Sequence, residues 1–60
     1  MNKKTLRLGI ANSGEINIEV KEILTWKMDK ISYIGDVMFF EHEGTFYSMK
    51  RIDYKNYIKK

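Results

Sequence analysis

The feature that most constrains this chain is a two-residue periodicity that holds on both sides of one turn. Leu6, Leu8 and Ile10 alternate with Thr5, Arg7, Gly9 and Ala11; after Asn12-Ser13-Gly14, Ile16, Ile18 and Val20 alternate with Glu15, Asn17, Glu19 and Lys21. Successive side chains of an extended strand point to opposite faces, whereas a helix would scatter these residues around its circumference. Gly14 can take the positive φ that a tight connection needs. The pattern predicts a β-hairpin with one apolar face and one wet face that carries Arg7, Asn17, Glu19 and Lys21. An isolated hairpin is marginal in water, so the rest of the chain must cover its apolar face.

The second half repeats this grammar with more grease. Ile31-Ser32-Tyr33-Ile34 runs into Gly35-Asp36, then Val37 to Glu41; a second turn at His42-Glu43-Gly44 leads into Thr45 to Arg51. Here both faces are apolar: Val37 and Phe39 point one way, Met38 and Phe40 the other, and Phe46 opposes Tyr47 and Met49 in the same sense. Strands of this kind lie centrally in a small closed barrel or cover a second apolar surface.

Between the halves, two readings stay open. Val20, Ile23, Leu24, Met28 and Ile31 fit a helical stripe, while Leu24, Trp26 and Met28 alternate, and Thr25 and Trp26 favour strands. A bend near Lys21-Glu22 followed by a strand through about Met28 is the expectation, with a short helix as the alternative. The end of the chain reads as a short helix. Asp53 would be its N-cap, Ile52 would staple to Tyr57, and Lys59 and Lys60 would sit at the negative end of the helix dipole.

The expected fold is therefore mainly β, one domain over residues 1–60, with four to five short strands in a small curled sheet or SH3-like barrel and a short C-terminal helix; α+β is the alternative. The sequence has 60 residues and no cysteine, so no disulfide or thiolate–metal site can staple it. A domain this small is worth roughly 3–9 kcal/mol of stability, and a dense aromatic core or a partner chain is the remaining source.

Composition narrows the function classes. Hydrophobic residues make up 43% and charged residues 32%, which fits a globular chain and not a disordered one. No apolar run approaches the roughly 18 residues of a membrane span. Met1-Asn2-Lys3-Lys4 is followed by alternation and not by an apolar leader core, so a cytoplasmic location is expected. The net charge of +3 permits nucleic-acid contact without demanding it. Abundant Lys, Asn, Ile, Tyr and Phe use A/T-rich codons, which points to a low-GC bacterium or one of its phages or plasmids.

No catalytic constellation is visible, and neither a cofactor nor a metal is expected. The single histidine, His42, stands between Glu41 and Glu43, but consecutive residues on an extended chain point to alternate sides and do not converge on one ion. Ser13, Ser32 and Ser48 lie in no nucleophile-elbow context, and no glycine-rich phosphate loop is present.

Binding is the remaining class. Trp26, Met38, Phe40, Tyr47 and Met49 are the candidate protein-contact residues, of types enriched at interface centres. The expected partner is a larger host protein, with the chain acting as a phage-type inhibitor or modulator that can also form a homo-oligomer. A second reading is nucleic-acid binding through the interleaved Tyr47, Lys50, Arg51, Tyr54, Lys55 and Tyr57, where rings would stack bases and cations track phosphates. A third is an oligomer that holds a small ligand between subunits. Val20-Lys21-Glu22-Ile23, the strand pair around Glu43-Gly44 and the closing segment 54–58 resemble part of a LytTR-type DNA-binding domain. The resemblance assigns no site residue.

Overall fold

Both hairpins form, and they join into a single antiparallel sheet. The computed structural model describes residues 4–59; the leader reading of the first residues and the placement of Lys60 fall partly or wholly outside them. The strands are β1 (Thr5–Ile10), β2 (Gly14–Glu19), β3 (Asp29–Ile34), β4 (Val37–His42) and β5 (Thr45–Lys50), in the order β2-β1-β5-β4-β3. The protein is mainly β, with a short C-terminal helix. Instead of curling into a closed barrel, the sheet stays open, with β2 and β3 as its two edges.

Register decides which side chains go inward. Directly opposed residues of an antiparallel pair share a face. Leu6 faces Ile18, Leu8 faces Ile16, Met38 faces Met49, and Tyr47 is opposite both Ile10 and Phe40. These residues therefore line one face across four strands. Leu6, Leu8, Ile23, Met38, Phe40 and Met49 form its buried centre. Each such side chain contributes about 1.5–3 kcal/mol on leaving water.

The pairings also make β2 and β3 run in the same direction, so no hairpin can join them and the chain must cross over a face. Residues 20–28 make that crossing. The helical turn α1 (Val20–Ile23) opens it, its first amide bonded to the Lys4 carbonyl at 2.9 Å. Ile23 is driven into the core, and Trp26 and Met28 pack against it. The expected strand through Met28 is thus replaced by the short helix and an irregular segment, because this stretch must lie across the strands instead of beside one. The helix α2 (Arg51–Asp53) continues into a wider turn over Tyr54–Ile58, closed by the Lys59 amide on the Tyr54 carbonyl at 2.8 Å. Tyr54, Tyr57 and Ile58 pack on the same core.

The start of α2 differs from the sequence expectation. Arg51 donates its backbone N–H to the Asp36 carbonyl at 2.8 Å, so β5 leads directly into the helix. Lys50 occupies the cap position, Asp53 lies inside the helix without a capping bond, and Ile52 stays exposed instead of stapling to Tyr57.

The turn between β4 and β5 holds Glu43 at φ 50° and Gly44 at φ 82°. Positive φ at both central residues is the geometry that matches the twist of a two-residue hairpin, and it suits Asn-Gly far better than Glu-Gly. Glu43→Asn is expected to raise the unfolding free energy by about 1 kcal/mol. Urea denaturation checks this: the midpoint should rise with the slope unchanged.

Candidate functional site: the bare face of the sheet

The residues that the sequence marks for protein contact are the interior. Met38 and Phe40 have no exposed surface, and Met49 is 3% exposed. Trp26 and Tyr47 are half-buried and close a ring cluster over Phe40. Trp26 lies 5.1 Å from Tyr47 and 6.3 Å from Phe40 between centroids, and Phe40 lies 5.6 Å from Tyr47. His42 stacks on Trp26 at 4.2 Å with the rings 6° apart, and its Nδ1 lies 3.3 Å from the Lys27 carbonyl oxygen. As a set, Trp26, Met38, Phe40, Tyr47 and Met49 therefore present no open docking surface. Tyr47 is the cause: opposite both Ile10 and Phe40, it ties the even-numbered residues of β4 to the apolar face of the first hairpin.

The residues marked for nucleic acid do not share one surface. Tyr47, Tyr54 and Tyr57 pack against the core, with the Lys4 ammonium 5.0 Å from the Tyr57 ring centroid. The Arg51 guanidinium lies 4.9 Å over the Tyr33 ring. Lys50 lines a groove on the opposite side of the sheet, and Lys55 projects from the C-terminal helical segment. Half-buried tyrosines without a shared open plane make poor stacking platforms.

What the fold leaves open is the other face. Both covering segments lie on the core side, so the far side of the sheet has no layer above it. One row crosses all five strands there: Glu15, Gly9, Ser48, Phe39 and Ser32 are successive register partners. Beside this row Phe46 is 45% exposed, Val37 37% and Ile34 69%. Phe39 is half-buried. A solvated face of an antiparallel sheet is ordinarily polar; here that holds for β1 and β2 and fails for β3, β4 and β5. Gly9 opposes Ser48 so closely that a Cβ on it would lie 2.6 Å from the Ser48 Oγ. A groove of about 550 Å³ runs over this dip, with Arg7, Asn17, Val37, Ser48 and Lys50 in its walls. A smaller one of about 260 Å³ lies by Phe39 and Phe46. The charges around it are small local effects: Arg7 pairs with Glu15 at 3.6 Å, both exposed, and exposed Lys30 pairs with half-buried Glu41 at 3.5 Å; surface pairs of this kind contribute little.

The sequence favours Phe39 and Phe46 as core residues and does not single out Val37 or Ile34, because both parities of β4 and β5 are equally apolar; in the structure Phe46 is exposed and Phe39 half-buried on the far face. The usable signal is the exposed parity of the first hairpin, carried across the sheet by register. Among the described residues, no three His, Asp or Glu side chains converge as metal ligands: Glu41 pairs with Lys30, whereas His42 stacks on Trp26 on the other face. No family model, curated protein or solved structure matches this chain.

The two faces separate in a mutational comparison. Phe40→Ser is expected to cost at least about 3 kcal/mol, a large part of the stability of so small a domain. Phe46→Ser is expected to stay within about 0.5 kcal/mol of the parent. Urea unfolding followed by Trp26 fluorescence measures both.

Proposed function

We propose that this chain is a non-enzymatic binding protein that docks the bare face of its sheet onto a larger protein and modulates it. The observation that carries this reading is the group Val37, Phe39 and Phe46, aromatic and aliphatic side chains on a face that no element of the fold covers. Its layout is that of an interface: an apolar centre on β4 and β5, and a polar margin of Arg7, Glu15, Asn17 and Lys50 on β1, β2 and the end of β5. Burying such rings stabilises a complex without a deep pocket, which a domain of this size has little room to build. A phage-type inhibitor acting in the cytoplasm is the form of this reading that the small size and codon preference favour. No helix among the described residues is long and apolar enough to cross a membrane.

The test is a capture experiment with matched variants. The wild-type chain and a Ser13→Asp control should retain the same protein partner from a host lysate, and Phe46→Asp should lose it while keeping its circular dichroism spectrum. Capture should change little between about 50 and 200 mM salt. Retention by Phe46→Asp contradicts the bare-face reading. Capture of nucleic acid that falls steeply over that salt range favours phosphate contact instead.

A further inference from the structure

We infer that two copies of this chain join edge to edge through β3, related by a two-fold axis, to continue the sheet from one subunit into the next. The inference uses the edge of the sheet and stands independently of what binds its face. β3 is an outer strand, and all six of its residues are exposed. An edge strand presents backbone N–H and C=O groups that only another strand can satisfy as a ladder, and natural sheets blunt such edges with charge, proline, bulges or a covering element.

The two edges of this sheet differ in that respect. β2 carries Glu15 and Glu19 and keeps Ile16 and Ile18 half-buried against the core. β3 instead exposes Ile31 at 41%, Tyr33 at 46% and Ile34 at 69%. It is guarded at its two ends: at the start Lys30 sits at φ 52° and the register with β4 shifts between Asp29 and Ser32, and at the end the Arg51 guanidinium lies over the Tyr33 ring and within 3.5 Å of the Gly35 carbonyl oxygen. Residues 32–34 pair regularly with β4, and no strand pairs with their outer edge among the described residues.

The sequence of this edge is complementary to itself. An antiparallel pairing with Ser32 on the two-fold axis sets Ile31 of each copy opposite Tyr33 of the other. The ladder can extend no further than Ile31 to Tyr33, because Lys30 at φ 52° with the shifted register before Ser32 ends it on one side and the Gly35 turn at φ 60° ends it on the other; over that span no two like charges are opposed. Aliphatic–aromatic cross-strand pairs stabilise a ladder, and like charges directly opposed weaken it. A two-fold contact closes on itself and ends at two subunits.

Sedimentation and a cross-link test this together. The wild-type mass should rise from 7.2 kDa toward twice that value as concentration goes from about 1 μM to about 1 mM. Ile31→Lys should hold the chain at the monomer mass with an unchanged circular dichroism spectrum. The protein has no cysteine, so single-cysteine variants report cleanly. Opposed Cα atoms of an antiparallel pair lie about 4.5–5.5 Å apart, within disulfide reach. Ser32→Cys should give a covalent dimer under mild oxidation, and Asn17→Cys on the β2 edge should not. A wild-type chain that stays monomeric throughout, or equal cross-linking from both edges, overturns the inference.

Discussion

Tyr47 is paired on both sides, opposite Ile10 on β1 and Phe40 on β4, and the orientation of the whole sheet follows from that position. Because strand side chains alternate, one residue shared between two pairings fixes the parity of both neighbours, and a slip by one residue would exchange the faces of an entire strand. On β1 the choice is forced by composition: Leu6 and Leu8 are apolar and Arg7 is not. On β4 it is not forced, since Met38 and Phe40 could exchange places with Val37 and Phe39. The double pairing of Tyr47 carries the decision of the first hairpin into the second, and puts Met38, Phe40 and Met49 inside.

The second constraint is directional. With β2 and β3 running the same way at opposite edges, the chain between them must pass over one face, and it passes over the face that already holds the core. The C-terminal helical segment lands there too, anchored at its start by the Arg51 amide on Asp36. All covering material is therefore spent on one side. The far face and the β3 edge are left with the exposed aromatic and aliphatic side chains Phe46, Val37, Tyr33 and Ile34.

Much of this was legible in the residues. The first hairpin, the turns at Gly35 and Gly44 and the closing helix follow from periodicity and from glycine's freedom at positive φ. The excess of apolar side chains in the second half was legible as well, and it is real. What could not be read was which residues make up the excess. Met38, Phe40, Tyr47 and Met49 are of types common at interface centres, as is Trp26 on the crossing segment; long-range register, which no local pattern encodes, turns the four strand residues inward, and Trp26 packs over them. In the crossing segment the short-helix alternative holds at Val20–Ile23 and the favoured strand through Met28 does not, for a related reason. Leu24, Trp26 and Met28 alternate, but their place is set by the need to span the sheet. Asp53 looked like a helix cap because it is the nearest acidic residue, whereas the first free amide finds a backbone carbonyl from a distant turn.

The central claim is that the even-numbered side chains of β4 are sealed and that an uncovered apolar face exists on the other side. Brief hydroxyl-radical labelling of the folded chain, read residue by residue by mass spectrometry, tests it most directly. Phe46 and Ile34 should label strongly, and Phe40, Met38 and Met49 should label only after unfolding, despite the high intrinsic reactivity of methionine sulfur. Strong labelling of Met38 and Phe40 with protection of Val37 and Phe46 would mean that β4 is turned over, and would contradict the account.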